Sequence, residues 1–149
     1  MLFLDVIAIG SIGSVVGVEF AVSCFINPVI QELDDAARGE ALRRFAALLG
    51  KVMPFWYGGN LVLLMVEAYL RRHTVVLPWM LGAVVVWAAV IVGTIAVLVP
   101  INNRVAASTG PMPEGLQREH RRWDMLHRWR VVLLVAAMVS FLLGVLMAR

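Results

Sequence analysis

His127 is the side chain in this sequence best suited to move a proton at neutral pH, because an imidazole titrates near ~6.5 and offers two ring nitrogens with different roles. Arg130, almost one helical turn further on, is a fixed cation that can hold an anion or a developing oxyanion. Trp123, one turn before His127, is either a flat face for a bound ligand or an interfacial anchor. A second polar group closes the third apolar stretch in Val99-Pro100-Ile101-Asn102-Asn103-Arg104. There Asn102 offers a hydrogen-bonding amide to a polar pocket, and Arg104 adds a second cation. Glu19 lies inside the first apolar stretch, where an ionised carboxylate is costly unless it is protonated or paired with a cation. It reads either as the alternative base or as interhelical glue. Asn60 falls at a similar depth on the second stretch, and with Asn27 and Trp56 it completes a candidate substrate-binding set.

His120, Asp124 and His127 are spaced i, i+4, i+7, which brings three possible metal ligands to one side of a helix. Metal sites in bundles gather ligands from several helices, and Glu19 is the other carboxylate expected at this end. Arg121, Arg122, Arg128 and Arg130 surround the triplet and favour an anion over a cation. A site without a cofactor is therefore the main expectation, and a metal held by the triplet is the alternative. Opposed axial haem ligands are not expected, since His73 belongs to the other end and the remaining two histidines share one helix. No glycine-rich phosphate loop, nucleophile elbow or Cys–His pairing is present, which removes nucleotide and hydrolytic chemistry. Few spans and no visible repeat argue against a solitary carrier.

The elements that must position these groups are set by composition. With 61% hydrophobic and 15% charged residues over 149 positions, the chain is far greasier than a soluble domain. Four segments fit a bilayer, at about residues 6–26, 52–70, 76–101 and 129–148, and backbone polar groups in hydrocarbon require them to be helices. The expected fold is all-α, an integral membrane four-helix bundle with cytoplasmic interfacial helix segments, forming a single four-span domain over residues 1–149. Of the basic residues, Arg38, Arg43, Arg44, Lys51, Arg104, Arg118, Arg121, Arg122, Arg128 and Arg130 flank one end, against Arg71, Arg72 and Arg149 at the other. The positive-inside rule then puts the Asn102–His127 end in the cytoplasm and both termini outside. Net charge of +3 reflects this topology and anionic headgroups. Nucleic acid is not an expected partner; the lipid bilayer and a hydrophobic small molecule are.

Each span carries its own pattern. The first has a small-residue stripe of Gly10, Gly13, Gly17, Ala21 and Cys24, expected to admit a neighbouring helix and compatible with a homo-oligomer. It also has a polar stripe of Glu19, Ser23 and Asn27, and is expected to bend or stop at Asn27-Pro28. Met1-Leu2-Phe3-Leu4-Asp5 lacks the basic start of a secretory signal, and Cys24 reads as a small buried side chain. Residues 40–49 suggest an amphipathic helix at the interface. Pro54 suits the first turn of the next span, with Phe55, Trp56 and Tyr57 at the headgroup boundary. Glu67, on one face with Trp56 and Asn60, is within reach of Arg71 for a surface ion pair. Gly82, Ala89, Gly93, Ala96 and Pro100 suggest a second packing seam. A loop over 106–115 precedes a helix starting at Pro113-Glu114, whose Trp123, His127, Arg130, Leu134, Ala137, Phe141 and Gly144 share one face.

The combination Pro100-Ile101-Asn102-x-Arg104, a short loop, then Trp123-x-x-x-His127-x-x-Arg130, on four spans with Asn27-Pro28 closing the first, resembles the anthrone oxygenase-like family of small membrane proteins. The resemblance covers most of the chain. It implies four helices, residence in a bacterial plasma membrane and, for some members, cofactor-independent oxygenation of anthrones to anthraquinones. Carried to this sequence, it points to Asn102, Arg104, Trp123, His127 and Arg130.

Overall fold

The computed structural model describes residues 1–148; Arg149 lies outside the described residues. Four helices are long and apolar enough to cross a membrane: α1 (Leu2–Gln31), α2 (Asp35–Leu70), α3 (Leu77–Ala107) and α4 (Glu114–Met147). The chain is an integral membrane protein of all-α fold. Each helix packs on its chain neighbours and α4 closes the ring against α1, as short connections between antiparallel helices require.

The buried positions repeat at spacings of three and four. On α4 they are His120, Trp123, His127, Val131, Leu134, Ala137, Phe141 and Gly144, with Val145; on α1 they begin Asp5, Ala8, Ile12, Val15 and Glu19. This period near 3.5 is that of helices wound gently about one another. Apolar side chains such as Phe3, Phe55, Val85, Val92 and Trp129 point outward, as expected of a protein whose surroundings are hydrocarbon rather than water.

Two π-helical turns interrupt the rods, Val22–Ile26 in α1 and Thr94–Leu98 in α3. Each is followed by one residue and then a proline, Pro28 or Pro100. Proline has no N–H and its ring crowds the carbonyl four residues back, so a wider turn relieves both problems without ending the helix. The N–H of Asn27 bonds to the carbonyl of Val22, and that of Val99 to Thr94. The helix therefore runs through Asn27-Pro28 to Gln31, where the sequence led us to expect a bend or stop. The extra residue also keeps Glu19, Ser23 and Asn27 inward, all three buried, although regular helical geometry would let a +4, +4 series drift off the face.

Residues 40–49 do not form a separate interfacial helix. They continue into α2, a helix of 36 residues with Pro54 inside it. At ~1.5 Å per residue this rod is about 54 Å long, against a hydrocarbon thickness of ~30 Å, so it projects well beyond the bilayer core. Asp34 caps its start, accepting from the N–H groups of Ala36 and Ala37 at 3.0 Å. As expected, α4 starts at Glu114 and passes unbroken into the membrane.

Apart from Gly82, where an added Cβ would lie 3.1 Å from Ser140 Oγ of α4, most of the small-residue stripes do not pack on neighbours within the chain. A Cβ added to Gly10, Gly13, Gly17 or Gly93 would meet nothing within 4 Å, and Ala89, Ala96 and Cys24 are exposed. The bundle packs instead through the larger residues one face over, such as Met80, Ala83, Trp87 and Val90 on α3.

Glu67 and Arg71 also differ from expectation. Their pair is not at the surface: Glu67 is 0% and Arg71 2% exposed, with Asp5 of α1 at 5%. Arg71 bonds to both carboxylates, reaching Asp5 Oδ1 at 2.5 Å, and so ties the far ends of α1 and α2 together. Replacing Arg71 by methionine leaves two buried carboxylates without their cation. Thermal or chaotrope unfolding in detergent should show a loss of about 3–5 kcal/mol, whereas a change within a few tenths would show that the triad is not buried.

Candidate active site

At the opposite, basic end of the bundle the helices separate around a cavity of about 210 Å³. Apolar side chains from all four helices form most of its wall, including Val18, Val22, Met53, Ile91, Ile95 and Leu98. Both π turns contribute to it, through Val22 on one side and Thr94, Ile95 and Leu98 on the other. Gly50, Pro54, Ile95 and Asn103 line the cavity and are also exposed, so it reaches the surface of the bundle between α2 and α3.

Its polar groups are Glu19, Tyr57, Thr94, Asn102, Asn103, His127 and Arg130. Glu19 is 2% exposed and both of its oxygens are occupied. Tyr57 Oη donates to Oε1 at 2.9 Å, and Arg130 Nη2 donates to Oε2 at 2.6 Å. The carboxylate is thus paired with a cation, one of the two states its depth allows, and Arg130 spends its charge on it. Arg130 Nη1 reaches Thr94 Oγ1 at 3.4 Å, beside the second π turn.

His127, 1% exposed, completes the group. Its Nδ1 lies 3.2 Å from Glu19 Oε2 and 2.8 Å from Arg130 Nη2. With the proton on Nδ1, the ring donates to Glu19 and leaves Nε2 as a base; with the proton on Nε2, Nδ1 accepts from Arg130 and Nε2 is a donor. In either form Nε2 is the ring atom with no hydrogen-bond partner. A further bond fixes the frame: Trp87 Nε1 donates to the carbonyl of Tyr57 at 3.1 Å, joining α3 to α2 at the cavity wall.

Trp123 borders the cavity, but its faces are occupied. Its ring is parallel to His127 at 4.8 Å and to His120 at 5.5 Å, forming a column along α4 that leaves the indole edge for any ligand. Asn102 also lines the cavity. Arg104 does not: two residues on, about 200° around the helix, it is exposed and bonded to Glu119 through Nε at 2.8 Å and Nη2 at 2.7 Å. Asn27 is a tie between helices, donating to Asp124 Oδ1 at 2.7 Å. Asn60 is wholly buried and donates to the carbonyl of Trp56 at 2.9 Å, while Trp56 packs on the core; neither borders the cavity.

Among the described residues no three His, Cys, Asp or Glu side chains converge on a point that could hold a metal ion. The His120, Asp124 and His127 triplet is split by the Trp123 ring, and Asp124 is bonded to Asn27 and to Arg128 at 3.0 Å.

A family model described as anthrone oxygenase matches residues 45–140. The chain belongs to the anthrone oxygenase family. The matched stretch of this family member contains Tyr57, Asn102, Trp123, His127 and Arg130 and leaves Glu19 outside. No curated protein and no solved structure matches the chain. The matched stretch is oxygenase-like by family and spans all of α3 with most of α2 and α4.

Tyr57 was not among the residues singled out from sequence, because Phe55-Trp56-Tyr57 reads as an interfacial aromatic run. The usable signal was its spacing: Tyr57, Asn60, Leu64, Glu67 and Arg71 follow the three-and-four rhythm of the buried face, whereas a strict 100° projection selects Trp56. Replacing Tyr57 by phenylalanine removes one donor to a charged acceptor. The fold should persist with about 1.5–3 kcal/mol less stability in thermal unfolding, and an unchanged midpoint would show that Glu19 does not depend on the hydroxyl.

Proposed function

We propose that this protein is a small integral membrane oxygenase acting on a hydrophobic aromatic substrate of the anthrone or polyketide type, bound in the cavity beside His127 without a required cofactor. Family membership supports the reaction class. The observation that carries the site is a buried histidine in the wall of a mainly apolar cavity, with its Nδ1 on Glu19 and its Nε2 without a hydrogen-bond partner.

An anthrone has an acidic C–H next to its aromatic rings. In the tautomer with Nδ1–H on Glu19, His127 Nε2 takes that proton, and the Glu19 carboxylate balances the imidazolium formed, as an orienting acid does for a catalytic histidine. The resulting carbanion is electron-rich enough to pass one electron to dioxygen. Recombination forms a C–O bond, the peroxide anion recovers the proton from His127, and loss of water leaves the new carbonyl. The sum is CH₂ plus O₂ giving C=O plus H₂O, with every electron coming from the substrate. Asn102, in the cavity wall, orients the existing carbonyl, and Trp123 offers an edge rather than a stacking face. Arg130 acts through Glu19, and we assign Arg104 no part in the chemistry.

The opening between α2 and α3, with exposed apolar residues around it, suits a substrate that arrives from lipid. The excess of arginine and lysine at the cavity end supports a cytoplasmic location for it, with the N-terminus outside.

His127→Ala should lower oxygen consumption with an anthrone probe by 10²–10⁴-fold, the usual contribution of a general base, while circular dichroism and elution profile stay unchanged; undiminished turnover would remove the mechanism. Gly58→Leu tests the cavity independently. A Cβ at Gly58 meets nothing within 4 Å, so the fold tolerates the change while the longer side chain enters the cavity. Its oxygen consumption should fall at least tenfold, and wild-type rates would place the substrate elsewhere.

A further inference from the structure

A second hollow, of about 110 Å³, lies at the same end of the bundle, among the ends of α1, α2 and α4 and the loop before α4. Its wall is of another kind. Arg38 from α2 and Arg121 and His120 from α4 converge on it, with Gln31 from the end of α1 and Gln117 from the start of α4, and no carboxylate lines it.

Surrounding contacts fix the wall of the hollow. Arg43 Nη1 donates to the carbonyl of Gly110 at 3.0 Å, where a positive φ of 68° turns the loop back. Gln117 Nε2 donates to the carbonyl of Met112 at 2.9 Å, fixing the loop residue that forms one wall. His120 is 7% exposed and held flat against Trp123. Arg38 is bonded to the exposed Asp35, and Arg121 forms no ion pair among the described residues.

Two arginines on different helices lining one small space, Arg121 without an ion pair among the described residues and Arg38 paired only with an exposed carboxylate, match the chemistry of a phosphate, whose oxygens accept bidentate N–H pairs from arginine. The space suits one phosphate group rather than a nucleotide. Its depth is also suggestive, since α2 continues past the apolar band to reach it, and basic hollows between membrane helices at this level hold anionic headgroups. We propose that the Arg38, Arg121 and His120 hollow is a phosphate-binding site separate from the reaction cavity, taking either the headgroup of an anionic phospholipid or free phosphate.

The test uses the full chain in detergent and measures thermal stabilisation by three probes: dioleoylphosphatidylglycerol, dioleoylphosphatidylcholine and inorganic phosphate. The proposal expects saturable stabilisation by phosphatidylglycerol, by inorganic phosphate or by both, and at least a tenfold loss of apparent affinity in Arg38→Gln/Arg121→Gln. Response to the lipid alone identifies the headgroup as the source; response to phosphate as well identifies a site open to the free ion. Arg44→Gln/Arg122→Gln removes the same charge from exposed arginines outside the hollow and should leave the affinity within twofold. Arg121→Gln alone serves if the double variant does not fold. Stabilisation by neither anionic probe, or equal losses in both double variants, overturns the proposal.

Discussion

The bundle is organised around the burial of one carboxylate. Glu19 lies deep in the first helix, and the hydrocarbon-like interior has no water to solvate it, so neighbouring helices must supply hydrogen bonds and charge. Tyr57 from α2 and Arg130 and His127 from α4 do so, and Thr94 of α3 reaches Arg130. Side chains from all four helices therefore meet around a single charge. The same requirement makes the site polar where the sequence is otherwise apolar, and sets a histidine against an acid in a mostly apolar cavity.

The opposite end uses the same device with another set of groups. Asp5, Glu67 and Arg71 fasten α1 to α2 far from the cavity, while the apolar layer between the two polar ends is filled by Trp87, Phe141, Leu134 and their neighbours. The two prolines and their π turns matter at the cavity end. A regular helix through Pro28 or Pro100 would clash or break, and a break would remove the walls that Val22, Thr94, Ile95 and Leu98 provide. The wider turns preserve the rods and shift their register, so inward side chains stay inward on both sides of each interruption.

Much of this was legible in the sequence. Apolar runs of membrane length gave the four helices, and the inward face of α4 was read correctly from Trp123 to Gly144 because no proline or glycine disturbs its period. The polar stripe of Glu19, Ser23 and Asn27 was also visible. What failed depended on helix geometry that local pattern does not carry. Arg104 was grouped with Asn102 by proximity in sequence, yet a continued helix puts them on different sides. The small-residue stripes satisfied a packing rule but, except at Gly82, mostly do not pack within the bundle, which buries larger side chains on the adjacent face. Glu67 with Arg71 looked like a surface pair because Asp5, the third member, is distant in sequence. Tyr57 was hidden in an aromatic run whose usual explanation, anchoring at the interface, was sufficient on its own.

The central claim is the contact between Glu19 and the imidazole of His127, and it is read most directly by nitrogen NMR of protein labelled at its histidines. The account predicts a His127 ring with a proton on Nδ1 and a bare Nε2, and an Nδ1 resonance that moves when Glu19 is replaced by glutamine. A His127 spectrum identical in the native protein and in Glu19→Gln would mean that the two side chains do not touch, and would contradict it.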